Sequence, residues 1–287
     1  MTFLPSFRSL GALAYALAPM VLVACGSDDA VSSADTTPSA SPSASPSPVP
    51  TSPGAKPRSN RFCLGEKHLF CADFDGHVLT DGFDADKPAA RNAFASTPSE
   101  RSAPNALTWT RRPGAATDDL RLRAQIDADA AQDPSVVEAA TDLFLDPNNG
   151  RVSASVFEVL VGPSLQPKLG AALSVDGTGY TNVVLHMPRP AELGSGPLTV
   201  TSEGGPTIPL GRWVHIVLRL EKTETNWTAS FDVDGVRGAT AVRPATERVR
   251  TNKVRLLVGA EHVLGTEIYG EPLQAAFDNV TVDVRRD

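Results

Sequence analysis

The residues spaced for chemistry in this chain are few, and the carboxylates come first. Hydrolysis of a glycosidic bond with retention needs two carboxyl groups about 5–5.5 Å apart. Glu158 is the lone acid of Ser155-Val-Phe-Glu-Val-Leu-Val161. Asp232 and Asp234 alternate and so share a strand face, but Asp234 is followed by Gly235 and reads better as part of a turn. Asp73 and Asp75 also alternate, and Asp278 would lie near them if the two terminal strands pair. Oxygen ligands gathered in this way suit a structural calcium ion. The plainer reading is that Asp75-Gly76 begins a turn and Asp278-Asn279 caps a strand end. Tyr180, Asn182 and His186 fall on one face at a period of two, and Trp227 lies near the start of a later strand. Together with Glu158 they offer the aromatic and planar polar groups that a sugar-binding platform uses. The five histidines have no metal-ligand spacing, and no Gly-x-Ser-x-Gly elbow marks a serine hydrolase. Free-thiol chemistry and organic cofactors have no motif either.

The elements that would position these groups are strands. Short β-patterned runs occur at 69–74, 107–111, 120–126, 152–161, 168–175, 180–186, 198–202, 213–221, 227–233, 253–258 and 275–284, separated by Gly, Pro, Asn and Asp. Spacing of this kind predicts a sandwich or barrel. No stretch holds a helical period with caps at both ends, and 84–94 is at most a short helical turn. In Trp213-Val-His-Ile-Val-Leu-Arg-Leu-Glu221, alternation assigns Val214, Ile216, Leu218 and Leu220 to the core. Downstream, Asp234-Gly235 predicts a two-residue hairpin, because a type I′ turn needs positive φ at both central positions.

The N-terminal end has a different logic. Residues 1–24 carry one basic group, Arg8, and no acid, and an apolar run follows from Leu10 to Ala24 with Pro19 inside it. That run is short for a permanent span, which needs about 20 apolar residues. Its basic start, apolar middle and small-residue end form a secretory signal. Leu22-Val23-Ala24-Cys25 resembles the lipobox of bacterial lipoproteins, which implies a Cys25 bearing lipid as the new N-terminus. The chain has three cysteines, and an odd one in an exported protein needs a reason. With Cys25 lipidated, Cys63 and Cys71 remain as a disulfide pair in an oxidising compartment. Residues 25–60 are Ser, Pro, Ala and Thr with almost no large apolar side chain, a composition that cannot offset its ordering entropy. Stiffened by proline, such a tether reaches at most ~100 Å at about 3.1 Å per residue. Gly26, rather than Asp, after the cysteine favours the outer membrane. The formal charge is −7 with Lys and Arg scattered, which gives nucleic-acid binding no support.

Residues 61–287 then carry a second resemblance. Trp213-Val-His-Ile-Val-Leu-Arg-Leu followed by Phe231-Asp-Val-Asp-Gly-Val, the opening Phe70-Cys-Ala-Asp-Phe-Asp-Gly76, the entry Ser102-Ala-Pro-Asn-Ala-Leu107 and the closing Ala275-Ala-Phe-Asp-Asn-Val-Thr-Val282 resemble laminin-G-like and concanavalin-A-like domains. The resemblance implies an all-β fold, a two-sheet antiparallel jelly-roll sandwich with one concave sheet. It includes glucanases that set their carboxylates as Glu-x-Asp-x-x-Glu on one strand; Glu267-Ile-Tyr-Gly-Glu271 has the two ends without the central Asp. The expectation is therefore a lipid-anchored, extracytoplasmic protein that binds polysaccharide without turning it over. An envelope-protein interaction module is the second reading, and a polysaccharide-degrading enzyme the third.

Overall fold

The computed structural model describes residues 62–64, 67–75, 82–85, 94–98, 105–111, 120–127, 135–150, 153–162, 169–187, 198–245, 253–264 and 273–285. The signal segment, Cys25, the tether and the pair Glu267/Glu271 lie outside the described residues.

Among the described residues the chain runs through a 3-10 turn, Phe62–Leu64, and then strands only. They are β1 (Phe70–Ala72), β2 (Asp84–Ala85), β3 (Phe94–Pro98), β4 (Asn105–Arg111), β5 (Leu120–Asp127), β6 (Val136–Leu145), β7 (Ser153–Val161) and β8 (Leu169–Asp176). There follow β9 (Thr181–Met187), β10 (Leu198–Glu203), β11 (Trp213–Lys222), β12 (Asn226–Val233), β13 (Val236–Pro244), β14 (Lys253–Leu264) and β15 (Leu273–Arg285). One sheet has eight strands in the order β13-β12-β11-β6-β15-β4-β3, with β1 also on β15. The other has seven, in the order β10-β9-β8-β7-β14-β5-β2. All pairings are antiparallel, and the two sheets make the expected jelly-roll sandwich.

Alternation decides what lies between the sheets. Val214, Ile216, Leu218 and Leu220 of β11 are all fully buried in the core, as their period predicts. They meet inward residues of the seven-stranded sheet such as Phe157, Val159, Leu173, Leu185, Val254 and Leu256. Asp234 and Gly235 adopt φ of 49° and 81°, the double positive φ of the predicted hairpin. Cys63 and Cys71 form the disulfide, with Cα atoms 5.6 Å apart.

Three elements differ from the reading of the sequence. The stretch 84–94 is not a helical turn at either end: Asp84–Ala85 pairs with β5, and Phe94 starts β3. β6 was absent from the expected strands, yet it sits between β11 and β15 in the larger sheet. Its outward positions, Glu138, Ala140, Asp142 and Phe144, mix alanine and an aromatic with acids, so no alternation is visible in Val136-Val-Glu-Ala-Ala-Thr-Asp-Leu-Phe-Leu145. β13 is the returning arm of the predicted hairpin, masked by Arg237, Gly238 and Arg243 in an edge strand.

Candidate functional site

The outward face of the seven-stranded sheet holds the strongest group of candidate residues. Its strand pairings set the layout. Glu158 of β7 lies opposite Ala172 of β8, which lies opposite Val184 of β9. One step along, Leu160, Gly170 and His186 make the next row. On the other side of β7, Leu257 of β14 is opposite Glu158 and Arg255 is opposite Leu160. Arg121 and Arg123 reach this face from β5, because Leu122, Ala124 and Ile126 take the inward positions.

Two basic side chains converge on Glu158. Arg121 donates from Nη1 to Glu158 Oε2 at 2.7 Å. His186 Nε2 lies 3.2 Å from the other oxygen, Oε1. Glu158 is 4% exposed and Arg121 8%, so this ionic cluster is sheltered although it points away from the inter-sheet core. A buried charge must be paired, and here the carboxylate has one partner for each oxygen. The reach of His186 depends on β8, whose outward residues beside it are the small Gly170, Ala172 and Ser174. Nothing larger than serine stands between the imidazole and the carboxylate.

Asn182 and Tyr180 extend the same face. Asn182 lies in the row of Ser174 and Ser155. Its Oδ1 is buried and has no hydrogen-bond partner among the described residues, an acceptor open to an outside donor. Tyr180 is 40% exposed, and its backbone N–H is held by Asp176 Oδ1 at 2.9 Å. Glu158, Tyr180, Asn182 and His186 are thus brought onto one face, as the period of two required.

Trp227 is not among them, which corrects the sequence reading. It belongs to β12 in the other sheet, is 1% exposed and lies in the core with Ala229, Phe231 and Val233. Asn226 starts that strand, so the inward register begins at Trp227, and Lys222 covers the ring with Nζ 5.7 Å from its centroid.

No second carboxylate stands beside Glu158 on its face among the described residues; its neighbours are Leu160, Ser155, Leu257 and Ala172. Asp232 is bound by Arg219 and, at 3.2 Å, by Arg237. Asp234 accepts the His215 backbone N–H at 2.8 Å and Arg212 at 3.3 Å, in keeping with its place in the turn.

The three aspartates considered for calcium sit where the terminal strands pair, since Ala72 of β1 lies opposite Val280 of β15. Asp73 accepts the backbone N–H of Asp75 at 3.3 Å, and Asp75 accepts that of Asn105 at 3.2 Å. Asp278 is fully buried and accepts the Asn279 N–H at 2.8 Å. Burial, with the charge of Asp73 added, pushes the Asp75 carboxyl above the usual range against the pull of Asn105. Among the described residues no three His, Cys, Asp or Glu side chains are grouped to hold a metal ion.

Reasoning from the sequence missed Arg121. Alternation in Leu120-Arg-Leu-Arg-Ala-Gln-Ile126 does place it outward, but its approach to Glu158 joins residues 37 apart through an intervening strand.

No protein-family model matches the chain, and no curated protein matches it. Solved structures do match. An endo-β-1,4-glucuronan lyase from the fungus Trichoderma reesei is 14% identical with a TM-score of 0.51, over 76% of this chain and 95% of that one. An endo-1,3-β-glucanase from Streptomyces sioyaensis is 15% identical with a TM-score of 0.50, over 82% of this chain and all of the other, 100%. A mixed-linkage glucan enzyme of glycoside hydrolase family 16 from Bacteroides ovatus, solved with a glucan product, is 13% identical with a TM-score of 0.50, over 75% and 99%. At these identities the likeness is one of fold: the jelly roll is shared with enzymes that act on polysaccharides.

Proposed function

We propose that this chain binds an extended polysaccharide along the outward face of its seven-stranded sheet and does not cleave it. One observation carries the reading: Asn182 presents a buried acceptor without a partner among the described residues, beside the sheltered Glu158–Arg121–His186 cluster and the exposed ring of Tyr180. Sugar hydroxyls are donors that suit such an acceptor, and an aromatic face suits the apolar side of a pyranose. Against a retaining hydrolase stand the engagement of both Glu158 oxygens and the lack of a second acid beside it among the described residues. The polysaccharides named for the similar folds give the natural probes. The place of work follows from the N-terminal sequence: a lipid on Cys25 and a proline-rich spacer would hold the domain off the envelope surface, outside the cytoplasm.

The test is affinity electrophoresis of the full chain through native gels containing mixed-linkage β-glucan, β-1,3-glucan or glucuronan. Retardation in at least one gel is expected, weakened in Tyr180→Ala/Asn182→Ala, with no release of shorter sugars or unsaturated uronate ends. Unretarded migration in all three gels, or cleavage products, would overturn the proposal.

A further inference from the structure

The second sheet carries a polar–aromatic group on its own outward face, remote in the pairing scheme from Glu158. Its centre is β6. Asp142 lies opposite His215 of β11 on one side and Asp278 of β15 on the other. Phe144, two residues on, lies opposite Trp213. These are the outward positions, because Leu143, Leu145, Val214 and Ile216 fill the inward ones and are completely buried.

Asp142 points outward and is nevertheless 0% exposed. Its two oxygens are used to fix neighbours. Asn279 donates from Nδ2 to Oδ2 at 2.7 Å, and His215 Nδ1 lies 3.0 Å from Oδ1. A carboxylate only accepts, so Nδ1 carries the proton and the ring orientation is set. The far nitrogen, Nε2, has no partner among the described residues, and the His215 side chain is 38% exposed. The backbone at His215 is pinned as well, since its N–H donates to Asp234 Oδ1.

Beside this imidazole stand Trp213 and Phe144, with ring centroids 5.5 Å apart and planes tilted by 47°. Both are partly exposed. Two residues along an antiparallel strand advance about 6.8 Å, so the aromatic pair and the imidazole are separated by about the width of one sugar ring. Core packing does not call for either aromatic, and the arginine–carboxylate pairs around Arg219, Glu138, Asp232 and Arg285 lie elsewhere on this face.

The geometry points to a second carbohydrate subsite at Trp213, Phe144 and His215. It takes one pyranose ring, with the apolar sugar face on the indole and a hydroxyl on His215 Nε2. Asp142 is a positioning residue that holds the imidazole and does not touch the sugar. This site is independent of the face proposed above and gives the domain a grip on each side.

The tryptophans make the test selective. The chain has three, and Trp109 and Trp227 are buried at 0% and 1%, which leaves Trp213 as the partly exposed reporter. Tryptophan emission and acrylamide quenching of the full chain are to be followed while mixed-linkage β-glucan, β-1,3-glucan or glucuronan is added. At least one should shift the emission to the blue and protect it from quenching. The response should persist in Tyr180→Ala/Asn182→Ala. It should weaken about tenfold in Phe144→Leu and His215→Gln, the scale of one aromatic or directed polar contact. These two variants keep volume or a polar group beside Asp142, and circular dichroism melts identify any that fail to fold. No response to all three polysaccharides overturns this subsite, as does a response unaltered by both variants or abolished by Tyr180→Ala/Asn182→Ala. Gel retardation without a Trp213 response removes this subsite alone, and a Trp213 response with gel retardation unaltered by Tyr180→Ala/Asn182→Ala removes the first face alone.

Discussion

His186 and Glu158 belong to strands that do not pair, yet the imidazole Nε2 lies 3.2 Å from the carboxylate Oε1 across the whole width of β8. The contact exists because at these rows β8 shows the outside small residues, Gly170, Ala172 and Ser174. With Arg121 on the other oxygen, it concentrates charge on a face where a sandwich fold has no need of it.

Removing Glu158 should therefore be costly to the fold as well as to binding. Glu158→Ala leaves Arg121, itself almost buried, without the carboxylate, and a buried pair broken from one side costs about 3–5 kcal/mol. Glu158→Gln keeps an acceptor for Arg121 and should lose less. Urea unfolding of both variants measures the difference, and equal, sub-kcal losses would mean that the cluster is well solvated.

Gly170 supports the same contact from below. A Cβ there would lie 2.3 Å from Leu160 Cδ2 and 2.6 Å from the Val159 carbonyl oxygen. The backbone oxygen cannot swing aside as a side chain could. Gly170→Ala should cost about 1–3 kcal/mol, the usual range for overpacking, and should loosen any ligand bound over Glu158. Unfolding midpoints and gel retardation of the same variant check both halves.

The legible and illegible parts of this protein divide by locality. Val214, Ile216, Leu218 and Leu220 could be placed in the core, and Asp234-Gly235 in a turn, because period and turn chemistry act within a few residues. Tyr180, Asn182 and His186 shared a face for the same reason. β6 could not be read, since a strand flanked on both edges tolerates alanine and phenylalanine at outward positions. Arg121 beside Glu158, and Asp142 beside His215, depend on strand order, which no local pattern encodes. Trp227 shows the opposite failure: its alternation was visible, but which face turned inward was settled by the register with β11.

The disulfide between Cys63 and Cys71 closes a small loop just before and within β1. For a sequence separation of 8 the chain-entropy model gives about 2–3 kcal/mol. Reduction should lower stability by that amount and leave β1 held to β15 by three backbone pairs and by Asp283, which binds the Leu69 N–H at 3.3 Å. Comparing urea curves with and without reductant tests this, with Cys63→Ser/Cys71→Ser as the control for thiol chemistry. A loss far above this range would mean that the disulfide also orders the N-terminal segment.

Asp75 yields a prediction with a definite sign in pH. Burial is the main reason its folded pKa lies above 3.8, with the Asp73 charge adding and the Asn105 N–H opposing. A carboxyl that holds its proton more tightly when folded contributes most below the unfolded value of 3.8. That contribution falls as pH rises through the raised folded pKa, and the deficit persists at neutral pH. Asn cannot ionise, and its side-chain oxygen can still accept from Asn105. Asp75→Asn should then melt above the wild type at neutral pH, with the advantage shrinking towards zero in acid. Thermal melts of both proteins across that range, in chelator, decide it; an advantage independent of pH would assign the effect to packing. Repeating the melts with calcium addresses the other reading of Asp73, Asp75 and Asp278. An ion held there would raise the wild-type midpoint and reverse the order of the two proteins, because the charge that costs stability alone becomes the ligand.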